Sequence, residues 1–128
     1  MKMLAIISHR MMKQQIDEAK EILKVDSIIE LPQEFKNIWG NIEPKGPLPI
    51  ELLKRMINWI DSNSSSGDYV LVQGDFGATY YIVDYCFKSD RIPIYATTKR
   101  ETNEMLENGA VIVSRIFKHI NFRNYQKY

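Results

Sequence analysis

The segment spanning residues 68–81 constrains the fold of this chain more than any other. It opens with an uncharged run containing β-branched residues (69–72), passes through a loop of small and polar residues (73–77), and then takes on helical periodicity. Such a loop joins the carboxyl end of a buried strand to the amino end of a helix. Open α/β sheets bind ligands at these junctions, because backbone N–H groups and the helix dipole both favour an anion there.

The rest of the chain repeats this alternation of short apolar runs with helix-period segments. We expect strands at 3–8, 27–31, 69–73 and 92–96, and helices at about 11–24, from Pro49 to Asp61 and at about 77–89, with a short helix and a loop within 33–46.

Two features near the end of the sequence complete the predicted order of elements. Thr98 and Glu101 have the spacing of a capping box, which predicts a helix that ends at Gly109. From Ala110 to Arg123, period-two alternation predicts a long strand, or two strands joined by a bend. The alternation separates a core face from a cationic face: Ile112, Ile116, Ile120 and Phe122 against Arg115, Phe117, His119, Asn121 and Arg123.

The predicted order β-α-β-α-α-β-α-β-α-β indicates an α/β fold with three layers and a mostly parallel sheet of about five strands. With 128 residues and 45% hydrophobic content, the chain can bury one core but is too short for two domains of ordinary size. We therefore expect a single domain over residues 1–128.

Charge and cysteine content limit the possible partners and the compartment. Seventeen Lys and Arg residues against sixteen Asp and Glu give a formal charge of +1, so no global field attracts long nucleic acid or an anionic membrane. The one cysteine, Cys86, cannot form an internal disulfide, and the start of the sequence lacks a signal-peptide layout. No apolar run approaches the roughly 20 residues that cross a bilayer. We expect a soluble cytoplasmic protein.

Polar residues follow three predicted strands at the edge of the sheet where ligands bind. The loop after the third strand offers backbone amides, a threonine hydroxyl and two glycines that allow close approach of a phosphodiester, although an Asp75 helix cap explains part of this pattern. We predict the following binding residues: Ser8, Arg10, Gln73, Gly74, Asp75, Phe76, Gly77, Thr79, Thr97 and Thr98.

Four further residues are candidates for the chemistry itself. Lys99 and Arg100 in the first turn of a helix are unfavourable for the dipole, which indicates an anion that offsets them. His9 follows the first strand at the same edge. His119 lies between two arginines, and neighbouring positive charge favours a neutral, proton-accepting imidazole if the three share a face. The simpler alternative for all four is a solvated surface position.

Several other kinds of site have no support in the sequence. It contains no His, Cys, Asp or Glu cluster at metal-ligand spacing, no Walker loop, no nucleophile elbow and no dinucleotide fingerprint after the first strand. Cys86, Trp39 and Trp59 are most simply core residues. We therefore expect neither a metal nor a cofactor.

Four blocks of the sequence together resemble a known family: Ser8-His9, residues 73–80, residues 93–100, and Phe117-Lys-His119 with Phe122-Arg123. They are similar to the small stand-alone CRISPR-associated proteins of type III loci, a Csx-type group of ring nucleases. The resemblance runs nearly from end to end of the chain. It implies a Rossmann-like fold related to domains that sense cyclic oligoadenylates, and a homodimer that cuts cyclic tetra-adenylate and switches the antiviral response off.

Cleavage of that ring needs no metal if the neighbouring 2′-hydroxyl attacks in line, and the products then carry 2′,3′-cyclic phosphates. Residues 73–79 would hold phosphate and ribose, Lys99 and Arg100 would stabilise charge, and His9 or His119 would assist proton transfer. A homodimer presents these loops twice to a two-fold symmetric ring. Two alternatives stay open: a module that binds or sequesters the cyclic nucleotide without cutting it, and a nucleotide or flavin module or structural adaptor unrelated to CRISPR.

Overall fold

The alternating sequence pattern folds into a mixed α/β structure with nine helices and strands. The computed structural model describes the backbone of residues 1–128 and the side chains of all of them except Glu101, Asn103, Glu107 and residues 114–117. The elements are β1 (Lys2–Ile6), α1 (Lys13–Glu21), β2 (Ser27–Glu30), α2 (Gln33–Trp39), α3 (Ile50–Asn63), β3 (Tyr69–Val72), α4 (Phe76–Lys88), β4 (Ile92–Glu107) and β5 (Ala110–Asn124).

The strands form one sheet in the order β2-β1-β3-β4-β5. The first four strands are parallel, with Leu4 opposite Val70 and Leu71 opposite Ile94, whereas β5 runs antiparallel to β4. From β1 the chain first adds β2 on one side of β1 and then adds β3 on the opposite side of β1. The order of strands therefore reverses between β1 and β3, which is the position where open α/β sheets leave a crevice for ligands.

Helices cover both faces of the sheet, and the sheet divides the hydrophobic core into two halves. Alternate residues of β1 contribute to each half: Leu4 and Ile6 pack with residues of α2, α3 and α4, while Met3 and Ala5 pack with α1 and with Phe122 of β5. Because both faces are covered, β1 and β3 are apolar on both sides, as buried parallel strands require. The predicted three-layer α/β fold with a five-stranded, mostly parallel sheet is confirmed.

The prediction of a helix from Thr98 to Gly109 is wrong, and the order of elements is β-α-β-α-α-β-α-β-β. Strand β4 continues to Glu107, and Asn108 and Gly109, both with positive φ, turn the chain into β5. Two consecutive residues of positive φ define a type I′ turn, for which Asn-Gly is the preferred pair. The Glu101 side chain of the predicted capping box lies outside the described residues.

The predicted long strand at the end of the chain is confirmed, but its two faces are not those predicted from period-two alternation. Thr97 pairs with Asn121 and Thr98 pairs with His119, so Ile120 is an extra residue in β5. Such a β-bulge shifts the alternation by one position. As a result His119 and Phe122 are buried on the same side of the sheet, whereas Ile120 and Ile112 are exposed. The predicted faces of Arg115, Ile116 and Phe117 concern side chains outside the described residues.

Helix α4 begins where the sequence predicts. Asp75 is its N-cap, and its Oδ2 accepts a hydrogen bond from the backbone N of Ala78 at 3.0 Å. Among the helices of the described residues, none is long and apolar enough to cross a membrane.

Candidate functional site

The carboxyl ends of β1 and β3 meet Ala96 of β4 at one edge of the sheet, and Gln73 joins the three strands. The backbone N of Gln73 donates to the carbonyl of Ile6 at 3.3 Å, and its side-chain Oε1 accepts from the backbone N of Ala96 at 2.8 Å. The side chain thus substitutes for a backbone carbonyl and extends the contact between β3 and β4 beyond the last paired residues. The glutamine-led loop and the Thr97-Thr98 segment, which sequence reasoning places at one edge, are neighbours in the structure.

Trp39 lies at the crevice between β1 and β3. Its indole Nε1 donates to the carbonyl of Gln73 at 2.7 Å, and the residue is 2% exposed. Gly74 permits this contact, because a Cβ at that position would lie 2.6 Å from the same Nε1. Gly40, which caps the carboxyl end of α2, packs against Ser8, to whose Cβ an added Cβ would lie at 3.1 Å. The carboxyl end of α2 therefore covers the crevice between the carboxyl ends of β1 and β3.

Sequence reasoning assigned Trp39 to the core and did not include it in the site. The signal that could have found it is the pair of glycines at 40 and 74: Gly74 directly follows a predicted strand, and Gly40 lies in the segment 33–46, where a short helix and a loop are predicted. A glycine that needs no special φ often marks the close approach of another group.

The loop between β3 and α4 presents an acceptor and a large aromatic side chain. The Asp75 carboxylate is held by its cap bond and brings negative charge to the amino end of α4. That charge opposes a phosphate on the helix axis and favours a hydroxyl donor such as a ribose 2′-OH. Phe76 is 94% exposed beside it. Thr79, a predicted binding residue, has its Oγ1 buried without a hydrogen-bond partner among the described atoms.

An open groove of about 640 Å³ runs along α4 from this loop. Half of the residues that line it are aromatic and come from α4 and from the end of the chain: Phe76, Tyr80, Phe87, Tyr125 and Tyr128. The Tyr125 hydroxyl donates to the carbonyl of Val72 at 2.6 Å, which fixes the end of the chain against β3. Nucleobases stack on exposed aromatic rings of this kind.

Ser8, His9 and Arg10 are exposed at the end of β1. The Nδ1 atom of His9 lies 2.9 Å from the backbone carbonyl of Arg10. A carbonyl oxygen can only accept a hydrogen bond, so Nδ1 carries a proton and Nε2 of the neutral ring is an acceptor. His9 is therefore oriented to take a proton through Nε2.

Thr97, Thr98, Lys99 and Arg100 lie at the base of the β4–β5 hairpin rather than in a loop, which corrects the expectation of a helix start. Thr97 is tied to β5, with its Oγ1 donating to the carbonyl of Asn121 at 2.9 Å. Both cations are exposed. Successive residues of a strand face opposite sides, so Arg100 lies on the side of the sheet that α1 covers and Lys99 on the side of α4. The two cations address different surfaces.

His119 is enclosed rather than presented at the edge. Its side chain is 2% exposed, and its Nε2 lies 2.6 Å from Oε1 of Glu18 in α1. The other carboxylate oxygen of Glu18 accepts a hydrogen bond from the backbone N of Phe122 at 2.8 Å. Of the two predicted cationic neighbours, Arg123 contacts Tyr95 instead, and the side chain of Arg115 lies outside the described residues, so that half of the prediction stays a prediction.

Within the described part of the chain, no three His, Cys, Asp or Glu side chains form a group that could hold a metal ion. The aromatic groove and the polar edge beside it instead suit an organic ligand with rings and hydroxyl groups.

Comparisons with known proteins place the chain beside one family. A family model described as "Uncharacterized protein MJ1673 family" matches residues 1–123. The chain is 41% identical over 127 residues to "Uncharacterized protein MJ1673" of Methanocaldococcus jannaschii, covering 99% of this chain and 98% of that protein. No solved structure gives a significant match.

Proposed function

We propose a function for this chain, which belongs to the uncharacterized protein MJ1673 family. In this proposal the protein is a ring nuclease that acts as a homodimer. It cleaves cyclic tetra-adenylate without a metal, by attack of a 2′-hydroxyl on the adjacent phosphodiester. The products carry 2′,3′-cyclic phosphates, and their formation switches off type III CRISPR antiviral signalling. The resemblance of its four sequence blocks to Csx-type proteins motivates the choice of ligand.

The observation that supports this proposal best is the convergence of three segments at one sheet edge. The segment after β1, the loop after β3 and the base of the hairpin are linked through Gln73, whose backbone and side chain bond to Ile6 and Ala96. A ligand with repeated phosphates, riboses and bases needs several such segments within reach of one another. A two-fold partner would present the same set a second time to the other half of the ring.

The described side chains divide naturally between recognition and chemistry. Asp75 accepts a ribose hydroxyl, and Phe76 and Tyr80 stack an adenine at the start of the groove. His9 removes the proton from the attacking 2′-hydroxyl through Nε2, because its Nδ1 is committed to the Arg10 carbonyl. As the 2′-oxygen bonds to phosphorus, the bond from phosphorus to the 5′-oxygen breaks, and the leaving 5′-oxygen takes a proton from the protonated His9 or from water.

Arg100 lies on the same side of the sheet as the segment that leads from β1 into α1, so it stabilises the charge that develops on the phosphate. Lys99, on the opposite side, neutralises a neighbouring phosphate. His119 acts as a positioning residue: through Glu18 it holds the base of the hairpin, and therefore Arg100, against α1.

One observation favours the alternative of a binding module that does not cut. Of the two histidines in the sequence, His119 is enclosed and bonded to Glu18, so His9 is the one that a ligand can reach. Acid–base catalysis that both removes a proton from the nucleophile and protonates the leaving group commonly uses two groups. With His9 as the one accessible histidine, the protein is better suited to bind the cyclic nucleotide than to cleave it.

Incubation of the purified protein with cyclic tetra-adenylate in excess chelator, followed by mass spectrometry of the products, separates the two functions. We expect linear products ending in 2′,3′-cyclic phosphate. His9→Ala is expected to slow single-turnover cleavage by about 10²- to 10⁴-fold, the usual contribution of a proton-transfer group. Arg100→Ala is expected to slow it by at least about 10²-fold through lost charge stabilisation.

Lys54→Ala provides the matched control, because Lys54 is an exposed cation on α3 that pairs with Glu51 and is not among the predicted binding residues. It should cleave at the wild-type rate. Intact ring that stays tightly bound would establish the binding module instead, and absence of any binding would remove cyclic oligoadenylates as ligands of this chain.

A further inference from the structure

The backbone fixes the amide orientation of two glutamine side chains near the edge of the sheet. Oε1 of Gln15 lies 2.9 Å from the backbone N of Met12, and Oε1 of Gln73 lies 2.8 Å from the backbone N of Ala96. A backbone N–H can only donate, so each amide oxygen is the acceptor, and each Nε2 keeps two N–H donors for another partner. Within the described residues, neither Nε2 has such a partner.

The amide of Gln15 is held more firmly than an ordinary surface glutamine. The residue is 5% exposed. Helix capping explains its oxygen, because a glutamine at the third position of a helix commonly accepts the N–H of the N-cap residue, but it does not explain the nitrogen. Nε2 is not among the fully enclosed polar atoms without a partner, so it can be reached from solvent. Gln15 therefore presents a donor whose position is set before any ligand binds.

The contacts of α1 bring the two amides to the same side of the sheet. Glu18, about one turn after Gln15, accepts a hydrogen bond from the backbone N of Phe122, and Phe122 is the strand partner of Ala96. Gln73 bonds to this same Ala96. Alternation along β3 places the Gln73 side chain on the side of the sheet that α1 covers. The first turn of α1 therefore lies beside the strand ends that Gln73 joins.

The amino end of α1 is open to an anion, unlike that of α4. Its N-cap residue Met12 makes no side-chain cap hydrogen bond, and the first turn has no acidic residue. The backbone N–H groups of residues 13–14 have no partner in the part of the chain that the structure describes. At α4 the Asp75 carboxylate already accepts from the first turn. Asp17 and Glu18, in the next turn of α1, are both paired.

We propose that the Nε2 groups of Gln15 and Gln73, with the free backbone amides of α1, bind an oxyanion of the phosphate class on the α1 side of the sheet edge. These donors are uncharged and preorganised, so they recognise the oxygen atoms of the anion by hydrogen bonds. The site itself does not depend on the chemistry proposed above. Its identification with the ring phosphodiester that His9 attends rests on the proposed function.

Heteronuclear NMR of the full chain tests the site with inorganic phosphate as the probe. We expect the side-chain amide signals of Gln15 and Gln73 to shift with one common dissociation constant as phosphate rises to about 50 mM, and not with chloride at equal ionic strength. The signal of Gln33, whose Nε2 donates to Asn37 within α2, should stay in place. Unmoved signals of Gln15 and Gln73, or shifts confined to the start of α4, would overturn the proposal.

Gln73→Glu separates anion binding from the structural role of this side chain. The carboxylate still accepts the Ala96 N–H, so the urea midpoint should match the wild type, but two donors are replaced by a negative charge. We expect binding of phosphate and of cyclic tetra-adenylate to weaken at least about 10-fold. Gln33→Glu makes the same change of charge on an exposed part of α2 and should bind both as the wild type does.

The two probes distinguish failure of the site from failure of the proposed function. Equal affinity of the wild type and Gln73→Glu for phosphate would overturn the site. A protein that binds phosphate through both amides but does not bind cyclic tetra-adenylate would retain the site and reject the proposed ligand.

Discussion

At the scale of single residues, the contact between Gly74 and Trp39 decides how the ligand edge is shaped. The indole bonds to the carbonyl of Gln73 and leaves no room for a side chain on the residue that follows. Gly77, three positions further on, has no such constraint, because an added Cβ would meet Leu48 Cδ1 at an ordinary 3.4 Å. Two glycines of one loop thus serve different purposes: the first permits a close approach, and the second lies in the first turn of α4.

We predict opposite effects on stability when alanine replaces these two glycines. Gly74→Ala should lower the free energy of unfolding by about 1–3 kcal/mol, because its Cβ displaces the buried indole. Gly77→Ala should be neutral or stabilising by up to about 1 kcal/mol, because alanine favours a helix more than glycine does. Chemical denaturation followed by tryptophan fluorescence measures both; equal effects would show that the indole yields freely.

At the scale of elements, the sequence pattern predicts most helices and strands, but it predicts a helix where β4 continues to Glu107 in the β4–β5 hairpin. Buried strands such as β1 and β3 are recognised because they are apolar on both faces, and α1 and α3 because one stripe is apolar. The described side chains of the outer part of β4 are exposed and give no core pattern, so the spacing of Thr98 and Glu101 is taken for a helix start. Asn108-Gly109 was the stronger signal, since it marks a tight hairpin between alternating residues.

The bulge at Ile120 explains why the faces of β5 were also assigned wrongly. Residues on the two sides of the bulge alternate in opposite phase, so a single period-two reading across the whole segment mixes the two faces. The buried partner of Phe122 is consequently His119, three residues away. No local propensity distinguishes Ile120 from its neighbours, so this shift follows from tertiary contacts with α1.

Glu18 is expected to hold the hairpin against α1. Glu18→Ala should lower the free energy of unfolding by about 2–4 kcal/mol, because it leaves the enclosed His119 ring and the Phe122 amide without their acceptor. Glu21→Ala is the matched control, since Glu21 is an exposed glutamate of the same helix. Hydrogen exchange at Phe122 should accelerate in the first variant and not in the second. Unchanged protection would show that the bulge is held by other contacts.

At the scale of the whole molecule, the sequence brings together the correct strand ends but not the correct side chains. The parallel order of β1, β3 and β4 follows from the pattern, and with it the common edge for Ser8, Gln73 and Thr97. The separation of Lys99 from Arg100 and the enclosure of His119 depend on the hairpin and its bulge, which the pattern does not reveal. Trp39 was missed for a related reason, because its position depends on how α2 folds back over the sheet.

Cys86 provides a probe of the integrity of the whole core. Burial raises the pKa of its thiol to about 12, and the side chain is fully enclosed among α3, α4 and the sheet. Alkylation at pH 8 should therefore be at least about 1,000-fold slower in the native protein than in denaturant, because it requires opening of the core. Labelling of the native protein at the rate of a free thiol would show that the two layers separate readily.

The Trp39 indole, which lies over the carboxyl end of β3, has a consequence for affinity. In this conformation Trp39 occupies the position at which an open dinucleotide-binding cleft would bind a planar ring. A ligand therefore either binds to the exposed aromatic and polar side chains around this position or displaces the indole. If the ligand displaces the indole, the free energy needed to move Trp39 weakens binding by the same amount. The protein then binds small planar molecules with few contacts less well than larger ligands with many contacts.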